Sequence, residues 1–245
     1  MDATRGPRVS SYRHDVETTI ALLRQRLNEY DFRDDGFAIV KELVQNADDA
    51  HASRLDLVVM ERGLNEVGDD HLLGGPALVA INDGPFSADN ARDMTAATGS
   101  SKAAEGSVVG RFGIGQQSVF HLCEAFFYVG KSSGVTTSGL LNPYLDERGR
   151  DHHFESWCQF SEEDASGIIR ELGALAPGSD GLVLWLPLRR EQHSRGKWGV
   201  LIDGDYGRFD EPQDLHRLAS NLTNARLADL LPPPGPLQES AGHRR

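Results

Sequence analysis

Three groups of residues in this chain combine types and spacing that could do chemistry. The first is Glu42-Leu43-Val44-Gln45-Asn46-Ala47-Asp48-Asp49-Ala50, the second Asn82-Asp83-Gly84, and the third Gly110-Arg111-Phe112-Gly113-Ile114-Gly115. On a helix advancing about 100° per residue, Asn46 falls about 40° and Asp49 about −20° from Glu42, so the three share one face. Phe37, Val40, Leu43, Val44 and Ala47 fall between about 100° and 220°, which makes an apolar face for a core. A carboxamide oxygen such as that of Asn46 suits Mg²⁺, which takes few protein oxygens and keeps waters and substrate phosphates. A carboxylate one turn away, Glu42, can hold a water in line with a phosphoryl group. Asp49 can hydrogen-bond a ribose or the metal's water shell. The alternative is a surface helix with a solvated polar face. Asn and Asp in mid-helix speak against it, because both favour caps and turns.

The run Ala77-Leu78-Val79-Ala80-Ile81 is short and apolar, as a buried strand is, and Asn82-Asp83-Gly84-Pro85 ends it as a turn. Asp83 therefore stands at the carboxyl end of a core strand, where a carboxylate can accept the exocyclic amine of adenine. Its alternative is an Asx-turn that bonds only local backbone. In the third group the glycines let backbone N–H groups approach an anion at the start of a following helix. The helical pattern Ile114, Val119, Phe120, Leu122, Cys123 predicts that helix, to about Glu124. The spacing is neither a Walker loop, which needs Gly-Lys-Ser/Thr, nor a dinucleotide fingerprint. The alternative is a flexible surface loop.

In this order the groups resemble the GHKL ATPase superfamily, which includes gyrase, the ninety-kilodalton heat-shock chaperones, MutL and histidine kinases. Lys41 to Ala50, Gly99-Ser100-Ser101-Lys102 and Gly110 to Leu122 resemble in particular the ATPase modules of sacsin-type proteins. The resemblance spans about residues 30–190. It implies ATP and Mg²⁺ as cofactors, with Glu42 activating water, Asn46 as the Mg²⁺ ligand and Asp49 lining the nucleotide pocket. It further implies Asp83 with Gly84 at the adenine, Ser100, Ser101 and Lys102 at the start of a lid, and Gly110, Arg111, Phe112, Gly113, Ile114 and Gly115 around the phosphates. Gly181 to Leu188 resembles the late core strand that closes the pocket. Three positions depart from the pattern. Leu182 stands where a Thr often holds water against adenine, Pro85-Phe86 replaces a second spaced glycine, and Gln116 replaces an aromatic residue.

A chain of 245 residues has room for one core of about 150–200 residues plus tails. No apolar run reaches the length of a membrane span, and the polar stretch Met1 to Ser11 is not expected to be a signal peptide. Two cysteines, Cys123 and Cys158, make neither a disulfide framework nor a metal cage, so a reducing cytoplasmic location is expected. His152-His153 with Cys158 has the wrong spacing for zinc. A net charge of −12 disfavours binding to a nucleic-acid backbone, which needs a basic face. Only four lysines are present, and Lys102 could reach a phosphate from the lid.

The pattern predicts helices near 15–30 (with Ile20, Leu23, Leu27 and Tyr30 on one side), from Asp34 to Ala50, over 88–97, over 161–172 from Ser161, and from Asp210 to Leu231. It predicts strands at 55–60, 77–81, 125–130, 136–141, 153–160 and 181–188. Irregular alternation of this kind suits an α+β, two-layer α/β sandwich with a mixed, mostly antiparallel sheet covered by helices on one face. The expected organisation is a flexible N-terminus at 1–14, an ATP-binding domain at 15–200, a helical extension at 201–231 and a disordered Pro-rich tail at 232–245. The functional expectation is an ATP-binding, Mg²⁺-dependent ATP-hydrolysing module whose lid at 98–113 closes on nucleotide. A protein partner, client or further domains and a nucleotide-dependent homodimer are expected, with no direct nucleic acid and no membrane. The alternatives are a binding-only regulator without significant hydrolysis, a histidine-kinase type (only His14 precedes the module as a phosphoacceptor), and an interaction protein with a decayed site.

Overall fold

A computed structural model describes residues 37–64, 73–99, 115–142, 160–191 and 208–224, and most of 20–28. The helical residues among 20–28 form α1, with Ile20, Leu23 and Leu27 buried. Next come α2 (Phe37–Asp49), β1 (Leu55–Met60), β2 (Ala77–Asn82) and α3 (Ala88–Gly99). A 3₁₀ helix (Gly115–His121), β3 (Phe126–Ser132), β4 (Val135–Leu141), α4 (Glu162–Leu175), β5 (Gly181–Pro187) and α5 (Pro212–Asn224) complete the order. Local chemistry starts two of the helices. Before α3, the Ser87 hydroxyl and the Asn90 side chain cap one another's backbone amides at 3.3 and 2.8 Å. Before α4, Ser161 Oγ accepts the Asp164 amide at 3.0 Å, and Glu162, Glu163 and Asp164 meet the positive end of the helix.

The five strands form one sheet in the order β1-β2-β5-β3-β4, and every pairing among them is antiparallel. The α+β architecture with an antiparallel sheet is therefore as expected. Alternation along the strands separates two faces. Leu78, Ala80, Leu182, Leu184, Leu186, Phe126 and Tyr128 face a core with Ile39 and Leu43 of α2, Met94 of α3, Phe120 of the 3₁₀ helix and Leu218 of α5. Val79, Val183, Trp185, Phe127 and Val129 face a second core with Ile168 and Leu172 of α4. The expectation of helices on one face only is corrected by α4. The strands β2, β5 and β3 are apolar at both parities, and a residue such as Trp185 must be covered on its own side.

One expected element differs. The helix expected to run to Glu124 is a 3₁₀ helix ending at His121. Strand β3 begins at Phe126, so the chain must leave the helix early, and the carbonyls released there are taken by Arg189. Helix α5 is described from Pro212 to Asn224, with the residues expected to continue it to Leu231 outside the described ones, and its Leu218 belongs to the main core. The strand expected at 153–160 and the proposed cap Asp34 lie outside the described residues, apart from Phe160, which sets its ring against Phe127. No described helix is long and apolar enough to cross a membrane.

Gly130 shows why one small residue is needed inside β3. A Cβ built there would lie 2.2 Å from Cδ1 of Phe86, whose ring also meets Tyr128. The Phe86 amide donates to the Lys131 carbonyl at 2.9 Å, so the backbone cannot retreat without losing that bond. Gly130→Ala is expected to destabilise the fold by about 1–3 kcal/mol, the usual range for overpacking. Urea unfolding with an unchanged m-value and a lower midpoint would bear this out, and an unchanged midpoint would refute it.

Candidate functional site

Helix α2 carries the first group, and the buried arc of the helix decides which of its side chains point inward. Ile39, Val40, Leu43, Asn46 and Ala47 are buried, Glu42 is half-buried, and Asp49 is exposed. Asn46 therefore belongs to the inward face, not to a polar face opposite the core. Helix α2 packs against the 3₁₀ helix, whose Gln117, Ser118 and His121 are buried in turn. Ser118 Oγ is buried without a hydrogen-bond partner among the described residues. Buried polar groups on two packed elements are costly unless satisfied by protein, water or ligand. Burial also pushes the Glu42 carboxyl above its usual range, with Lys41 opposing the shift.

The end of α2 is fixed to the end of β2. The Ala52 amide donates to Ala47 O at 2.9 Å and the His51 amide to Asp48 O at 2.8 Å, with His51 at φ 56°. This is a Schellman closure with a non-glycine residue in the left-handed position. Gly84 then packs on the helix end, where an added Cβ would lie 2.8 Å from Ala50 Cβ. The turn that follows α2 is held by Asp83. Its Oδ1 accepts the Ser53 amide at 2.7 Å and the Arg54 amide at 2.9 Å, and the Ser53 hydroxyl donates to Oδ2. These donors, the Ser53 hydroxyl first, hold the Asp83 carboxyl below its usual range. The sign follows: this contribution to stability is present above the ordinary carboxylate pKa and is lost as the pH falls through the lowered value.

Asp83 thus ties β2 to the α2–β1 turn, and Asn82 is the residue that sequence reasoning passed over. Asn82 is buried and shares its face with Leu78 and Ala80, toward α2. Its Oδ1 accepts the Gly84 amide at 3.0 Å. Strand alternation was the signal that could have found it, since two steps on from Ala80 is Asn82.

The 3₁₀ helix is locked from β5. Arg189, fully buried, pairs through Nε with the buried Glu124. Its Nη1 donates to His121 O at 2.8 Å, and its Nη2 to Phe120 O at 2.6 Å and Cys123 O at 3.1 Å. The Arg189 amide also donates to Leu122 O at 2.7 Å, and its carbonyl accepts the Phe209 amide at 2.9 Å. Burial pushes the adjoining Cys123 thiol well above its usual range, so it is a packing group rather than a nucleophile.

Of the expected site residues, Glu42 and Asn46 share α2, Gly84 packs against Ala50 at the helix end, and Gly115 starts the 3₁₀ helix that packs on α2. Asp49 stands exposed at the last residue of α2, and Asp83 is turned to Ser53 and Arg54. Ser100, Ser101, Lys102, Gly110, Arg111, Phe112, Gly113 and Ile114 lie outside the described residues. Among the described residues no three His, Cys, Asp or Glu side chains are grouped to hold a metal.

Comparison with known proteins agrees with the motifs. The Sacsin domain family pattern matches residues 16–156, more than half of the chain. A segment of 94 residues is 36% identical to human sacsin, covering 36% of this chain and 2% of that much longer protein. The matched region contains α2, the Asn82-Asp83-Gly84 turn and the 3₁₀ helix, the elements that build the candidate site. The chain belongs to the Sacsin domain family.

Proposed function

We propose that this sacsin-domain protein binds ATP with Mg²⁺ between α2, the end of β2 and the 3₁₀ helix, and hydrolyses it. The observation that carries the reading is the set of buried polar side chains, Asn46, Asn82, Gln117, Ser118 and His121, placed on those three elements beside a half-buried Glu42. The donor set fits a magnesium nucleotide. On α2, the buried Asn46 carboxamide with the Glu42 carboxylate one turn away suits an ion that takes most of its ligands from phosphates and water. Bound there, Mg²⁺ would offset the charge of the phosphates. Asn46 would bind and orient it. Glu42 would orient the attacking water and receive its proton, and Asp49 would serve the rim. The glycines from Gly110 to Gly115, with Ser101, Lys102, Arg111, Phe112 and Ile114, would supply phosphate contacts and the lid. Gly84 would let the β2 turn approach the helix end. A protein partner or client, further domains and nucleotide-dependent pairing of two copies belong to the same proposal.

A binding-only switch is the second reading. Leu182 favours it, being buried and apolar where the resemblance expects a Thr that holds water. The first test is thermal and urea stability with and without Mg²⁺-ATP. At a hundredfold excess over Kd, binding to the folded state is expected to stabilise by about 2.7 kcal/mol. No shift at millimolar Mg²⁺-ATP would overturn both readings for this chain.

A further inference from the structure

Strand β1 ends the sheet, and among the described residues no strand pairs with its outer side. Its six residues pair with β2 in an unbroken register, with no proline and no bulge. Alternate residues of an edge strand point N–H and C=O outward, and natural edges are blunted by charge, proline, a bulge or a cover. Here five of the six residues are apolar, and the sixth, Asp56, is bridged by Arg54 at 2.7 Å. Both faces of β1 are also incompletely covered. On the main-core face Leu55, Leu57 and Val59 stay partly buried although α5 packs beside them. On the other face α4 packs on β3 and β5, and Val58 and Met60 beyond it are 39% and 37% exposed. An edge of this kind is completed by a further strand with apolar side chains on both faces.

We propose that two copies of this chain pair through their β1 edges, antiparallel about a two-fold axis, so that the two sheets become one continuous sheet. The pairing goes beyond the nucleotide reading and stands without it. Charge favours a second copy as the occupant. The segment 54–62 sets Arg54 and Arg62 against Asp56 and Glu61 and is neutral, on a chain whose net charge is −12. Two acidic copies can therefore approach here without the repulsion that net charge imposes elsewhere. The side chains also complement themselves. With Val58 opposite Val58 of the second copy, facing residues share a face, as antiparallel pairing requires. Leu57 then meets Val59 of the second copy on the main-core face, once on each side of the axis. On the other face Met60 lies diagonal to Val58 of the second copy, so the exposed apolar side chains of both copies gather at the axis. Asp56 lies diagonal to Arg62 of the second copy, within reach of a long side chain, and keeps its own Arg54. Moving the axis to Leu57 would set the two Asp56 carboxylates diagonal to one another, and moving it to Val59 would shorten the overlap of the strands.

The test is sedimentation equilibrium of the full chain with no nucleotide present, so that a failure to pair and a failure to bind ATP are read separately. The wild type is expected to dimerise in the micromolar range. Val58→Lys sets two ammonium groups opposite one another at the axis and is expected to weaken the dimer by about tenfold or more. Its far-UV circular dichroism is expected to match the wild type, because the side chain it replaces is already 39% exposed. Val58→Cys, close to valine in size, guards against a folding failure. On oxidation with copper phenanthroline it is expected to give a disulfide-linked dimer in excess of any formed by the wild type, whose own Cys123 and Cys158 are the background. A monomeric wild type overturns the proposal, and so does a dimer that Val58→Lys leaves intact. Should Val58→Lys unfold, the Val58→Cys link decides, its presence supporting the β1 edge and its absence overturning it.

Discussion

Arg189→Met is expected to destabilise the protein by about 3–5 kcal/mol, the cost of removing one partner from a buried ion pair. For a protein of this size that is a fall in Tm of roughly 6–20 °C. The arginine has no solvent exposure, and neither does its partner Glu124. Methionine fills a similar volume but donates nothing. It would leave the Glu124 carboxyl, together with the carbonyls of Phe120, His121 and Cys123, without the guanidinium that now serves them. Arg189→Lys is expected to fall between, because an ammonium has three donors and no planar fork with which to span these acceptors. Combining Arg189→Met with Glu124→Leu is expected to recover part of the loss by removing the uncompensated charge. A change below about 1 kcal/mol in the single variant would show that the guanidinium is not the lock it resembles. The region affected is also specific. Arg189 joins the end of the 3₁₀ helix to β5 and, through its carbonyl, to Phe209 ahead of α5. Hydrogen exchange in Arg189→Met is therefore expected to rise first over 117–124 and 208–218.

Glu42→Gln is expected to reduce ATP turnover by about 100-fold or more while leaving ATP affinity within a few-fold. That loss is in the range for removing a positioned general base. The wild-type rate is expected to fall on the acid side as Glu42 takes up its proton, at a pH above the ordinary glutamate range because burial raises its carboxyl. The same shift predicts a stability effect of definite sign. Between the ordinary and the raised value the folded state holds more protons than the unfolded state. Stability therefore decreases as the pH rises through that window. Above it, ionised Glu42 is a net cost, which Glu42→Gln removes. Its Tm at neutral pH is expected to rise while its turnover collapses, a combination that general damage to the fold does not produce. A variant with wild-type turnover would remove Glu42 from the chemistry and leave the binding-only switch as the better reading.

Much of the framework was legible because it is local. The strands at Leu55–Met60, Ala77–Asn82 and Gly181–Pro187 are apolar runs bounded by turn residues. Ser161 ahead of three acidic residues marked the start of α4 without any tertiary information. The pairing of Glu42 with Asn46 on one helix was likewise a matter of spacing. Other features were not local. Nothing near Arg189 in the sequence marks its partner, since it is buried against Glu124, which stands 65 positions away along the chain. The helical reading of 114–124 followed apolar spacing. Burial on every side from Gln117 to Gly130 left that spacing with no face to report.

The site divides in the same way. By itself the sequence determined the α+β class, the core strands, the motif helix and the family to which the chain belongs, because each depends on residues near one another or on a pattern read in order. Only the tertiary structure decided that Asn46 points inward, that Asp83 serves the turn at Ser53 and Arg54, and that Asn82 faces α2. Alternation says that neighbouring strand residues face opposite sides, but not which side meets which helix. Here α2 lies over one face of the sheet and α4 over the other, so a single step along the chain at the end of β2 separates Asn82, which faces α2, from Asp83, which holds the α2–β1 turn.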